Sequence, residues 1–292
     1  MNWRNITKLA AILALSLLPP LSALAQQPSN THHIKFQVGD TSRSAEIYLP
    51  VQLNNNAPSP LVFNLHGTGG LPKSQEQLSR MSLVADRENF ILVSGMASYL
   101  RADGSRTWNA DLDLSGVSDI DYIVAAIEAV DAQTSVDRRR IYVTGFSGGG
   151  RMASRLACEL ADILAAVAPV AGVQFGKNCN PARSIPLVTF HSKNDPVNTY
   201  SRANIIRNPS WVTGVESAVA SWADYNTCPA DSVEQIITEK FTRLSYNNCA
   251  DETNVVFYQL DDGGHSWPGT PSDTDINASE LIWEFFEAHK LP

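Results

Sequence analysis

No apolar run in this sequence is long enough to cross a bilayer: the longest, Leu9 to Leu18, stops at Pro19-Pro20, whereas a spanning helix needs about 20 apolar residues. Basic side chains are in deficit, 22 Lys and Arg against 30 Asp and Glu for a formal charge of −8, which argues against nucleic acid and anionic membrane as partners. Cysteine is scarce, with four residues and no C-x-x-C, so paired-thiol redox motifs are excluded. No H-x-H or H-E-x-x-H occurs, and Asp111-Leu112-Asp113 is a weak metal signal that reads as a solvated loop. Metal-dependent chemistry therefore lacks support in the sequence. Repeats, Pro/Thr/Ser-rich linkers and composition shifts are absent after residue 30. Residues 26–292 are accordingly read as one domain.

The first 25 residues combine Arg4 and Lys8, the apolar stretch, and a small-residue site at Ala23-Leu24-Ala25, the pattern of a secretory signal peptide cleaved after Ala25. Loss of the two cations would take the net charge to about −10. The protein is expected to be secreted or periplasmic, without stable membrane association. In such a compartment the even set Cys158, Cys179, Cys228 and Cys249 favours disulfides over metal chemistry. Proximity suggests Cys158–Cys179 and Cys228–Cys249, although four cysteines permit three connectivities and sequence alone does not choose.

Gly145-Phe146-Ser147-Gly148-Gly149 is the most informative feature that is present. A G-x-S-x-G pentapeptide also arises by chance among 17 glycines, so its context decides. It must follow a strand and open a helix, where a sharp turn exposes the serine Oγ. Arg140 to Thr144 is a β-branched and aromatic run, and Met152, Leu156 and Leu160 recur every four residues afterwards. Strand, serine, helix is the required order.

Elsewhere, His33 to Val38 and Ala45 to Leu49 flank Gly39-Asp40 as an opening hairpin, and Leu61 to Leu65 and Phe90 to Val93 read as buried strands. Ser118 to Asp121 resembles a helix cap ahead of Ile120, Ile123, Val124, Ile127 and Val130. Ala165 to Val170, Leu187 to His191 and Val255 to Leu260 are further strands, with helices around Val215 to Tyr225 and Leu281 to Phe286. An antiparallel start followed by alternating strands and helices predicts a three-layer α/β sandwich with a mostly parallel central sheet.

A serine nucleophile needs a neutral imidazole and a carboxylate to orient it. Of six histidines, His265 follows the last strand in the loop Asp262-Gly263-Gly264-His265, the place for a base in this architecture. His191 ends a strand and is read as structural. The acid should lie between serine and histidine past a strand end, which selects Asp195; Asp261 and Asp262 are read as solvated turn acids. Oxyanion donors are expected at the backbone N–H groups of Gly148 and of Thr68, in the loop Asn64-Leu65-His66-Gly67-Thr68-Gly69-Gly70. Trp108, Trp211 and Trp267 fall on predicted loops, and Trp108 and Trp267 are candidates to line a substrate cleft, with core or lid packing an equally good account.

With these residues in place the sequence resembles the secreted polyhydroxybutyrate depolymerase-like esterases, close to the feruloyl and acetylxylan esterases of carbohydrate esterase family one. The resemblance is carried by Leu65-His66-Gly67, Thr107-Trp108-Asn109, Tyr142 to Ser147, Arg155 to Leu160, Val167 to Gly172, Asp195-Pro196-Val197, Ser221-Trp222-Ala223, Gly264 to Gly269 and Glu280 to Phe286. It implies an α/β-hydrolase fold, a Ser147–His265–Asp195 triad, backbone donors at Thr68 and Gly148, and no cofactor. Members often carry Asn or Ser at the position of Gly148 and Cys at that of Thr68. The expected substrates are ester-containing polymers or oligomers: hydroxyalkanoate oligomers or polyester, or feruloyl and acetyl esters of plant polysaccharide. The alternatives are an amide-cleaving hydrolase of a polyanion such as poly-aspartate, and a non-catalytic binding protein on the same fold.

Overall fold

The computed structural model describes residues 30–53, 57–110, 118–201, 211, 213–269 and 276–292. The proposed signal segment and Asp111 to Asp113 lie outside the described residues.

The chain opens with the hairpin β1 (Thr31–Val38) and β2 (Thr41–Tyr48), turned at Gly39 with φ +55°. It continues through β3 (Ser59–Leu65), the short helices α1 (Pro72–Ser79) and α2 (Met81–Glu88), and β4 (Ile91–Gly95). A two-residue ribbon, β5 (Tyr99–Leu100) and β6 (Arg106–Thr107), precedes α3 (Asp119–Asp131), whose N-cap Ser118 accepts a bond from Asp121 N–H as its sequence suggests. Next come β7 (Val136–Phe146), α4 (Gly148–Glu159), β8 (Ala166–Val170), β9 (Leu187–Ser192) and α5 (Val215–Tyr225). The hairpin β10 (Val233–Thr238) and β11 (Phe241–Tyr246) leads into β12 (Val255–Leu260) and α6 (Ala278–Glu287).

Ten strands form one sheet in the order β1-β2-β4-β3-β7-β8-β9-β12-β11-β10. From β4 to β12 the neighbours run parallel, and an antiparallel hairpin closes each edge. Parallel strands must be buried on both faces, and alternation along each strand feeds two separate cores. Leu61, Phe63, Ile141, Val143 and Val167 face Met152 and Leu156 of α4 and the apolar side of α3. Val62, Tyr142, Val188 and Phe190 face Met81 and Val84 of α2 and Ile282, Trp283 and Phe286 of α6. The result is the three-layer α/β arrangement, and the helices missing from the sequence reading are α1 and α2. Among the described residues no helix is long and apolar enough to cross a membrane.

The disulfides are Cys158–Cys179, which ties the last turn of α4 to the loop beyond β8, and Cys228–Cys249, which ties the end of α5 to the turn before β12. Each spans 21 residues, so each is worth about 3 kcal/mol by restriction of the unfolded chain. Both fit an oxidising compartment.

β3 lies between β4 and β7, the two strands that follow it, so the chain leaves β3 to one side and returns on the other. A crevice at the carboxyl ends of the strands is expected where the winding direction changes. Leu65, Phe146, Ser192 and Leu260 end β3, β7, β9 and β12 there, and the connections that leave these four ends carry Thr68, Ser147, Asp195 and His265.

Candidate active site

Ser147 joins β7 to α4 with φ 54° and ψ −110°, a conformation that a residue with a side chain adopts only when its surroundings enforce it. The glycines explain how. A Cβ at Gly145 would lie 2.6 Å from the Gly149 carbonyl carbon and 2.9 Å from Leu65 Cβ, and one at Gly149 would lie 2.7 Å from the His66 carbonyl oxygen. The turn closes only because both positions lack side chains. Gly148 is the first helical residue, so its N–H has no acceptor within the helix and adds to the positive end of the helix dipole.

The loop after β3 packs directly on this turn. A Cβ at Gly67 would meet Ser147 Cβ at 3.4 Å, and one at Gly148 would stand 2.9 Å from the Thr68 amide nitrogen. The Thr68 amide nitrogen is thus packed closely against Gly148. The Thr68 hydroxyl pairs with the Thr107 hydroxyl at 3.0 Å, and Gly69 N–H donates to the Arg106 carbonyl at 2.7 Å. His66 is fully buried beneath the loop; its Nδ1–H donates to the Gly67 carbonyl (2.7 Å) and its Nε2 accepts from Ala97 N–H (3.1 Å). Burial pushes its pKa down, and the two bonds fix the neutral tautomer that props the loop.

Trp108 and Trp267 correct the sequence reading. Both are about 1% exposed: the Trp108 indole N–H donates to the His66 carbonyl at 2.8 Å and that of Trp267 to Ser279 Oγ at 3.1 Å. Each ring is spent on core packing with its one donor satisfied, so neither offers a face to a substrate. Trp211 is likewise buried, its N–H bonded to the Thr199 carbonyl.

Asp195 and His265 leave the ends of adjacent parallel strands, β9 and β12, paired in the register His191 with Gln259 and Ser192 with Leu260. His265 Nδ1 donates to Asp195 Oδ2 at 2.7 Å, which leaves Nε2 as the lone-pair nitrogen of the neutral ring. The Phe146 ring lies 4.8 Å from the imidazole, centroid to centroid, which sets the base beside the residue that precedes Ser147. Asp195 Oδ1 accepts from Val197 N–H (2.8 Å) and Asn198 N–H (2.9 Å). Burial pushes the Asp195 carboxyl up, but bonds from His191 and His265 and their charge outweigh it and hold the group well below the usual carboxylate range.

The two loops are strapped together by residues that sequence reasoning passed over. Asn194 Oδ1 accepts from Gly264 N–H (2.7 Å) and Gly263 N–H (3.3 Å), and Ser192 Oγ accepts from Gly263 N–H (2.9 Å). The rival acids lie outside the cluster: Asp261 pairs with Lys193 Nζ at 2.7 Å and Asp262 accepts from the Asn194 amide. A clue was available in the position of Asn194, next to the acid at a strand end, where Asn side chains commonly bond nearby backbone. A serine at a helix N-terminus with the Thr68 loop packed against it, and an imidazole bonded to a buried carboxylate nearby, form an arrangement that can carry acyl transfer.

Comparison with known proteins points to esterases. The model of the "Esterase PHB depolymerase" family matches residues 43–255. Feruloyl esterase B of Piromyces equi is 25% identical over 258 residues, covering 86% of this chain and 46% of that one. A bifunctional acetylxylan esterase/xylanase of Neocallimastix patriciarum is 27% identical, covering 83% of this chain and 33% of its own. This chain thus spans half or less of the length of those two proteins. A probable feruloyl esterase C of Aspergillus clavatus is 28% identical over 290 residues, covering 96% and 97% of the two chains. Among solved structures, the acetyl xylan esterase from Aspergillus awamori superposes with TM-score 0.63 at 15% identity over 88% of this chain and 99% of that one. At that identity it speaks for the fold alone, which is that of α/β-hydrolase esterases.

Proposed function

Because this chain belongs to the esterase PHB depolymerase family, we propose that it hydrolyses carboxylic esters through an acyl-enzyme on Ser147, with His265 as general base and Asp195 as its orienting carboxylate. The observation that carries this reading is the 2.7 Å Asp195–His265 bond beside a serine held at φ 54°. His265 Nε2 takes the Ser147 proton as Oγ attacks the ester carbonyl. Negative charge then moves onto the carbonyl oxygen, where the Thr68 and Gly148 amides receive it. The imidazolium returns its proton to the departing alcohol. Water, deprotonated by the same nitrogen, next attacks the acyl-enzyme and releases the acid. Asp195 stays ionised throughout and stabilises the imidazolium.

The substrate class is an ester of a carbohydrate hydroxyl carrying a feruloyl or acetyl group, a reading supported by the names of the similar proteins. The family name supports a second reading, hydroxyalkanoate esters. Export with cleavage after Ala25 completes the proposal, consistent with the two disulfides. The test is turnover of p-nitrophenyl acetate, methyl ferulate, acetylated xylan, hydroxybutyrate oligomers and poly-aspartate by one purified preparation. Ser147→Ala should lower the ester rate by about 10⁵; an unchanged rate would sink the mechanism, and preference for poly-aspartate would sink the substrate class.

A further inference from the structure

Asp195 holds a second imidazole besides His265. His191 is the penultimate residue of β9, its side chain fully buried. Its Nε2 lies 2.7 Å from the Asn198 carbonyl oxygen and 3.3 Å from Asp195 Oδ2. A carbonyl only accepts, so Nε2 carries the proton and shares it between the two oxygens. Nδ1 is buried without a hydrogen-bond partner, an expense that packing alone does not explain. The ring is fixed between Trp211 and Tyr200, at 5.6 and 6.4 Å between centroids. Asn198 in turn donates to the Ala171 carbonyl at 2.7 Å, in the loop that follows β8 and borders the Ser147 turn.

We infer that His191 is a positioning residue: its Nε2–H pins Oδ2 of Asp195 and draws charge from it, so that Asp195 orients His265 without over-stabilising the protonated imidazole. This rests on the proposed triad and adds a term to it. Among the described residues, the charged or titratable groups around the cluster are few. His265 faces Asp195 from the loop after β12; Tyr200 faces His191 with Glu216 of α5 bonded to its hydroxyl at 2.9 Å; Asp261 stands farther out, paired to Lys193. Burial, then the bond to Glu216, raises the Tyr200 pKa, so that ring stays neutral. Oδ2 therefore has two imidazole donors, and removal of one concentrates its charge on the other.

The expected sign follows. With the His191 bond gone, the protonated form of His265 is favoured and the acid limb of kcat/KM moves to higher pH. His191→Phe keeps the ring packing and deletes the donor; it should shift that limb up by about 0.5–1 pH unit and lower kcat roughly tenfold with KM little changed. His191→Gln, whose amide reaches to the position of Nε2, should return the limb to that of the wild type. A folded Phe variant with an unmoved limb, whatever its rate, overturns the inference. Should that variant fail to fold, His191→Asn in the Ser147→Ala background gives the same readout from the NMR titration of His265, which must move up relative to Ser147→Ala alone. That titration needs no turnover, so it fails or succeeds independently of the esterase reading, which falls only if Ser147→Ala retains activity.

Discussion

In the proposed site, the nucleophile side and the acid–base side are built from different materials. Ser147, Gly148 and Thr68 are placed by close-packed backbone: glycines at 145, 148 and 149 let β3, β7 and α4 approach to distances no side chain tolerates. Asp195 and His265 hang on polar side chains, with Asn194 and Ser192 bonding across to the loop after β12 and His191 contacting Asp195 in the loop after β9. Steric placement is stiff and fails through volume, whereas hydrogen-bonded placement fails when one donor or acceptor is removed.

The largest effect expected is at Gly149. An alanine there would press on the Leu65 and His66 carbonyls, so Gly149→Ala should abolish ester turnover and cost about 3 kcal/mol in denaturant unfolding. Asp195→Asn comes next, at about 10⁴ in kcat, because the amide misorients the imidazole. It also has a stability signature. The Asp195 carboxyl titrates below its ordinary value in the fold, so the unfolded chain binds protons first as pH falls. The stability it contributes is complete above about pH 5 and is lost as pH falls through about 4 toward the folded value. Between about pH 5 and 2 the wild-type Tm should therefore drop more steeply than that of Asp195→Asn, by scanning calorimetry.

Asn194→Ala leaves the Gly264 amide without its acceptor and should lower kcat about tenfold and stability by 1–2 kcal/mol, roughly. Thr107→Val deletes the hydroxyl behind Thr68 at little change in shape and should cost about 1 kcal/mol, with kcat within about threefold because the amides are placed by backbone. If Thr107→Val were as damaging to kcat as Asn194→Ala, the contrast between the two sides would collapse. Lys193→Ala removes only the half-exposed pair with Asp261 and should stay within about 0.5 kcal/mol and twofold in rate.

The same contrast governs what the sequence made legible. Steric constraints write themselves as glycines at fixed spacing, so the strand–serine–helix turn was readable from the sequence. Asp195 and His265 were chosen by their order along the chain, and the fold joins them by a hydrogen bond, yet the partners that hold them were not legible: a lone Asn or Ser past a strand end looks the same whether it bonds water or a neighbouring loop. His191 was read as structural, and its contact with Asp195 was invisible because the turn after β9 brings the two together. Trp108 and Trp267 stayed open between cleft and core because a loop position does not show burial, and the partners of their buried N–H groups come from other segments. α1 and α2 are eight residues each with weak apolar patterning. β10 is an edge strand exposed on both faces, so the alternation that marks half-buried strands is missing there.

The insertion of β12 between β9 and β11 also sets a clock. On the proposed triad, a growing chain that has reached Asp195 already holds Ser147 and its glycine turn, whereas His265, the proposed base, arrives only once residues 255–265 are made and the last parallel strand can join the sheet.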